Sequence, residues 1–480
     1  MARTEWLRTA RRAALGLLLA SSAGFAAAAA TISIVNADGP GEGFNDPTPV
    51  APVGGNPGLT LGQQRLNAFA YAASVWGASL DSSVNITVRA NFDPLTCTAT
   101  SAVLGSAGPT TIFADFPGAP VAGTWYHASL ASKLAQADLS DAFMPGTPMI
   151  AARFNSNLGN AGCLTGSGFY LGLDNNTGGR INLVVVLLHE FGHGLGFSTV
   201  TNSATGAQIS GLPSIYDRFA YDNTLGKLWS DMTDAERVFS AINPRQLAWT
   251  GANVTAAAPA VLTPGTPELV VNAPSGLAGT YLIGAAVFGP PFTTPGLNRQ
   301  VMPVVEGGNL GLACTPLDAV NAAAVKNRIA FVIRGTCAFT VKVKNAQNAG
   351  AVGVLVMDNV AGSAPPSLGG ADATITIPSG RISFDDGVKF IGAMNFTPGN
   401  RSTGVVARLA LNPTRLAGAD AAGRVLLYTP NPRQPGSSVS HWDDSATRNL
   451  LMEPAINADL TQFVFPPYDL TLPMFKDIGW

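Results

Sequence analysis

The chain has 480 residues, long enough for two or three domains with separate cores. Only 12% of residues are charged, the formal net charge is −2, and there are no Lys/Arg runs or acidic tails, which excludes a nucleic-acid binder by charge and implies no highly charged partner. With 53 Gly and 34 Pro, a loop-rich globular protein with a neutral polar surface is expected.

Residues 1–30 read as a secretory signal peptide. Arg3, Arg8, Arg11 and Arg12 precede an apolar stretch over 13–19, and small residues run on to Ala30, with cleavage expected near 28–30. The apolar stretch is too short for a membrane anchor and is broken by Ser21, Ser22 and Gly24. Losing these four arginines and Glu5 takes the charge to −5, and no later stretch spans a membrane. The exported part holds Cys97, Cys163, Cys314 and Cys337, an even number that predicts two disulfides. Of the three pairings, proximity favours Cys97 with Cys163 and Cys314 with Cys337. The spacings are too wide for a cysteine zinc site.

Residues 31–58 form a Gly/Pro-rich lead, expected to be extended, and folding is expected to begin near Thr60. Leu66, Phe69, Ala70, Ala73 and Trp76 then recur at helical spacing, 84–90 alternates like a strand, and 110–116 and 168–173 read as further strands. A turn at 175–179 leads into an apolar run over 181–188, which ends in His189-Glu190-Phe191-Gly192-His193. Histidines four apart on a helix share one face, so both imidazoles can reach one Zn²⁺, and Glu190 can take a proton from the water that such an ion activates. The apolar run suits a buried helix with polar groups only at its working end, because burying them without a partner is costly. Residues 214–249, helical in spacing over 232–241, close this first block, 59–255.

From 256 to 415 the composition shifts to Val, Ala, Gly and Pro with strand-length apolar runs, the mark of a separate module. Residues 329–333 read as a strand, Arg334-Gly335-Thr336-Cys337 as a turn, 339–349 as a helix and 352–357 as a second strand. With its Arg-Gly-x-Cys turn, Phe339, Lys344-Asn345-Ala346 and Ala349-Gly350-Ala351, this βαβ segment resembles the protease-associated (PA) domain. No His/Asp/Glu cluster accompanies it, so the resemblance implies a positioning or access role without chemistry.

The last block is 416–480. A hydrolytic zinc takes three protein ligands and keeps one position open. In the pattern H-E-x-x-H-x-x-G-x-x-H, Gly196 is in place but the third histidine is replaced by Thr199, a poor zinc ligand. Two other histidines exist. His127, within Thr124-Trp125-Tyr126-His127-Ala128, reads as packing; His441, within Ser440-His441-Trp442-Asp443, precedes Met452. In this order the chain resembles a metzincin of the leishmanolysin type, in which an insertion displaces the third histidine and a Met-containing turn follows it. The resemblance implies that His189, His193 and His441 bind zinc and that Met452 forms an apolar floor beneath it. It also implies an α+β fold: a metzincin-like protease domain, with a mixed sheet and an active-site helix, interrupted by a β-rich α/β PA domain. The rival completion takes Glu236 or Glu453 as third ligand.

The activity expected is a secreted endopeptidase, extracellular or periplasmic, that acts on proteins or peptides through one Zn²⁺ with Glu190 as general base and proton donor to the leaving amine. The alternatives are a zinc aminopeptidase, for which no group that binds a free amine is identifiable, and a non-catalytic binding protein, which would not need Glu190. Asp443 and Asp444 are candidate outer partners of the site, with surface solvation as their competing role. Asp217 and Asp222 are candidate calcium ligands, though their spacing is unlike a known calcium loop.

Overall fold

The computed structural model describes residues 29–362, 365–394 and 402–480, so the expected signal peptide lies almost wholly outside them. In chain order, the elements that position the site begin with β1 (Ile32–Asn36), α1 (Leu61–Ser79), β2 (Ile86–Asp93), β3 (Gly105–Pro109), β4 (Ile150–Asn155) and α2 (Leu183–Leu195). The strands form one sheet in the order β1-β2-β4-β3, with β3 antiparallel at the edge and the other pairings parallel. The lead is therefore not simply extended: Ile32 and Ile34 alternate toward the core, and β1 pairs with β2 from Ile32↔Ile86 to Asn36↔Ala90.

Helix α1 starts where Thr60 accepts a hydrogen bond from the Gln63 amide, a cap worth about 1 kcal/mol. Its buried face is Ala68, Phe69, Ala72, Ala73 and Trp76, while Leu66 and Ala70, expected on that face, point to solvent. Trp76 donates Nε1–H to the Leu188 carbonyl at 3.1 Å, which ties α1 to α2. Phe69 packs edge-on against Phe154 of β4 and Phe191 of α2. A helix pair on a mixed sheet thus surrounds the motif.

Helix α3 (Ala252–Val261) runs across the boundary expected at 255/256, because Val254, Ala258 and Val261 are buried in the first core. Beyond it the chain leaves through β5 (Pro264–Ala273) and returns through β12 (Val406–Leu416), an antiparallel pair that brings Pro264 opposite Leu416. Between them lie β6 (Gly279–Tyr281), β7 (Gly284–Ala285), β8 (Leu297–Pro303), β9 (Ile329–Ile333), α4 (Phe339–Asn348), β10 (Gly353–Met357), β11 (Ser379–Ile382) and α5 (Phe384–Ala393). The strands make an eight-stranded sheet, β6-β5-β12-β8-β9-β10-β11-β7, whose β8 to β11 run parallel. Val, Ile and Leu on both sides of β9 and β10 fill two cores, one on each face. The disulfide Cys314–Cys337 closes the turn before α4; Cys97–Cys163 ties together the loops beyond β2 and β4. Both pairings are the ones that proximity favoured.

The final 60 or so residues rejoin the first core, mostly as loops, and end in α6 (Thr471–Ile478), whose Met474, Phe475 and Ile478 are buried there. Among the described residues no helix is long and apolar enough to cross a membrane.

Candidate metal centre

Helix α2 is buried along its whole length. Asn182 caps it, its side-chain oxygen accepting from the Val184 and Val185 amides at 2.9 and 3.3 Å. The helix ends at Gly196, whose φ of +133° few other residues tolerate, and whose missing side chain makes room for Ile478. Past this turn the Phe197 carbonyl swings back over the last helical turn, where the His193 Nδ1–H donates to it at 2.8 Å.

His189 and His441 are held in the same manner. The His189 Nδ1–H donates to the Leu451 carbonyl at 2.7 Å, and the His441 Nδ1–H donates to the Ser437 carbonyl at 2.9 Å. A carbonyl can only accept, so in each ring the hydrogen sits on Nδ1 and the Nε2 lone pair is free. The three Nε2 atoms converge at 3.2, 3.2 and 3.3 Å from one another. With no hydrogen between them they repel. Burial holds all three rings neutral, with His189 pushed down to about 4 and His441 to about 3. Ligands about 2.0–2.1 Å from a tetrahedral zinc stand about 3.3 Å apart, so this donor set fits that ion in type and in spacing. Among the described residues it is the one group of three such side chains this close.

Met452 lies against α2 below the histidines. A Cβ at Gly192 would fall 2.7 Å from the Met452 Sδ, so glycine is what allows the turn to approach the helix. The turn is held by Asp469, which accepts the Leu451 amide at 2.8 Å and the Thr471 amide at 2.6 Å. Asp469 thereby fixes the same residue whose carbonyl orients His189. The His441 loop is held by the buried Tyr216 hydroxyl, which donates to the Val439 carbonyl at 2.8 Å, and by Ser440, whose Oγ accepts the Thr199 amide at 3.3 Å.

Glu190 projects from α2 beside the edge strand β3, where it bonds to the backbone of Ala107 and its stem lies close to Gly105. Burial pushes its carboxyl up to about 8 against the opposing pull of that bond. A cleft of about 1200 Å³ runs between β3, α2 and the segments 435–441 and 453–460, with His189, Glu190, His193 and His441 on its lining.

The other sequence candidates lie elsewhere. His127 is buried 2.8 Å from the Ser198 hydroxyl and joins no ligand group. Glu236 closes a capping box with Thr233 and pairs with Lys227, and Glu453 accepts the Leu450 amide at 2.7 Å; neither reaches the helix histidines. Asp443 is buried against Arg245 and Ser445, and Asp444 is exposed, so the outer partners of the imidazoles are backbone carbonyls instead. Asp217 is taken up by Thr199, Thr201 and the Ser214 amide, and Asp222 by the Thr224 and Leu225 amides and Ser240. Sequence reading missed Asp469, Tyr216 and β3. The sequence Gly-Ser-Ala-Gly-Pro has no apolar alternation, and the strand expected at 110–116 is only a two-residue pair, Ile112–Phe113.

The family model of the PA domain matches residues 301–390. The chain contains a PA domain. Its match covers β8 to α5 and so the βαβ unit around Cys337. No curated protein matches the chain in sequence. Among solved structures, an aminopeptidase from Aneurinibacillus sp. strain AM-1 is 20% identical over 32% of this chain and 32% of its own, with a TM-score of 0.24. A zinc aminopeptidase from Bacillus subtilis is 22% identical over 34% and 35%, with a TM-score of 0.23. A subtilisin-like protease from Pseudoalteromonas sp. AS-11 is 15% identical over 32% and 34%, also at 0.23. The chain spans about a third of each of these neighbours, and at such scores the likeness carries no argument about the metal centre.

Proposed function

We propose that the chain is a secreted zinc-dependent endopeptidase of metzincin type, carrying a PA domain between its second and third metal ligands. The observation that carries this reading is the equilateral Nε2 triad with Glu190 one residue beyond its first member. His189, His193 and His441 would hold the ion, above Met452. A bound zinc ion supplies Lewis acidity at the open side of the triad. Beside that charge the Glu190 pKa would fall from the raised range that burial alone sets, so the carboxylate could be ionised near neutral pH. Glu190 then accepts a proton from the attacking water and returns it to the leaving amine. The outer edge of β3 borders the cleft beside Glu190, and an extended peptide laid there can pair with its backbone as an added strand. An edge of this kind accepts internal segments of a chain, which favours endopeptidase over aminopeptidase activity. The two disulfides fit export to an oxidising compartment.

The test is digestion of a denatured protein by purified mature enzyme, with and without a chelator, beside Glu190→Gln. The wild type should cleave, the chelator should stop cleavage, and the variant should keep its zinc while losing at least 100-fold in rate. Wild-type cleavage by Glu190→Gln, or indifference to the chelator, would remove the mechanism.

A further inference from the structure

We propose that the Ser198 hydroxyl, oriented by the buried His127, donates a hydrogen bond to the carbonyl oxygen of the bond being cleaved as that oxygen gains negative charge, an inference that rests on the peptidase reading above. Ser198 is half-buried and lines the cleft together with His189, His193 and His441. Its Oγ lies 2.8 Å from the His127 Nε2. The His127 ring is wholly buried, and among the described residues its Nδ1 has no partner. Burial also holds the ring neutral, with its pKa pushed down to about 4, so it carries one hydrogen. On Nδ1 that hydrogen would belong to an orphaned buried N–H, which folded proteins avoid more strictly than a bare lone pair. It therefore sits on Nε2 and is donated to Ser198. The Ser198 hydroxyl hydrogen then has no acceptor among the described residues and is free for a ligand in the cleft.

The backbone fixes Ser198 from both sides. The Phe197 carbonyl accepts from the His193 Nδ1–H at 2.8 Å, and the Thr199 amide donates at 3.3 Å to Ser440, the residue before His441. His127 is tied to α2 through Ser129, whose hydroxyl donates to the Gly194 carbonyl at 2.9 Å, and it is near enough to His193 that a charge on one ring would oppose a charge on the other. Ser198 thus stands beside the triad. The next two hydroxyls of the segment, Thr199 and Thr201, are both given to Asp217, at 2.6 and 2.7 Å, so of these three only Ser198 has a hydrogen to spare. When water adds to a peptide carbonyl, negative charge moves onto its oxygen. A donor held in place beforehand strengthens its bond as that charge grows, and so favours the transition state over the bound substrate.

The experiment compares the wild type with Ser198→Ala and Ser198→Thr on one fluorogenic peptide, alongside zinc content, melting temperature and calorimetric affinity for a phosphinic peptide, whose tetrahedral centre carries the negative oxygen. Ser198→Ala should keep its zinc and melting temperature, lose at least about tenfold in kcat with KM little changed, and bind the phosphinic peptide more weakly by the same factor. Ser198→Thr, which keeps the hydroxyl, should recover most of the rate. His127→Leu should lower kcat in the wild type and leave Ser198→Ala unaffected, because His127 is a positioning residue that acts through the hydroxyl; if it does not fold, the Ser198 variants still decide. Wild-type kcat in Ser198→Ala overturns the proposal, as does a loss confined to KM, an unchanged affinity for the phosphinic peptide, or a rate loss matched by lost zinc. Chelator-sensitive cleavage by the wild type keeps the peptidase reading when these fail; absence of all wild-type cleavage sinks both.

Discussion

At the scale of single residues, the centre is defined by where hydrogens are not. Three imidazoles that all donate through Nδ1 present three lone pairs to one point, an arrangement that a cation relieves. Zinc should therefore raise the melting temperature of metal-free protein by several degrees, read by calorimetry, since a ligand that binds only the folded state stabilises it. His441→Ala should reduce bound zinc, measured by elemental analysis, from one per chain to a small fraction, while His127→Ala should leave it unchanged. Equal zinc in the two variants would refute the assignment. Much of this was legible in the sequence, because the four-residue spacing of His189 and His193 is a helical signature and only two other histidines exist. What holds the rings was not legible. Their partners are the carbonyls of Leu451, Phe197 and Ser437, and every residue has a carbonyl.

Elements carry the next level of precision. The Met452 turn is bound to α6 through Asp469, so the geometry of His189 depends on the end of the chain. Asp469→Asn retains only one side-chain oxygen for two amides and should weaken zinc affinity on the order of 10-fold, measured by competition with a chromophoric chelator. Unchanged affinity would show that the turn holds itself. β3 is the element the sequence concealed. It is an edge strand without alternation, and its identity comes from pairing with β4 and from Glu190 packing against it. By contrast, β9, α4 and β10 were readable, because strands covered on both faces are continuous apolar runs.

For the whole molecule, metal-free stability should be bounded on both sides of a maximum in pH. His189 and His441 have folded values of about 4 and about 3, below the ordinary 6.5. Their contribution is complete above 6.5 and is lost as pH falls below it, because the unfolded chain takes up protons first. Glu190 and Glu453, at about 8 and about 9 against an ordinary 4.5, act in the opposite sense: their contribution is complete below 4.5 and is lost as pH rises toward those values. Denaturant midpoints of the metal-free protein should thus peak between about pH 4.5 and 6.5, and Glu453→Gln should flatten the alkaline decline. The PA domain should be separable. Pro264 and Leu416 are paired neighbours, so replacing 265–415 by a short Gly/Ser turn should leave a folded remainder that still binds one zinc. Failure to bind would show that the PA domain supports the centre itself.

His441 follows His193 by 248 residues. At ordinary rates of synthesis, about 5–20 residues per second, roughly 10–50 s separate the emergence of the two. No nascent chain shorter than this can assemble the triad. On the proposed reading, a protease whose ligands are divided in this way would stay silent while it is being made and exported, and could complete its metal centre only after the last loops have emerged. Its order of synthesis would serve as a safeguard for the cell that produces it.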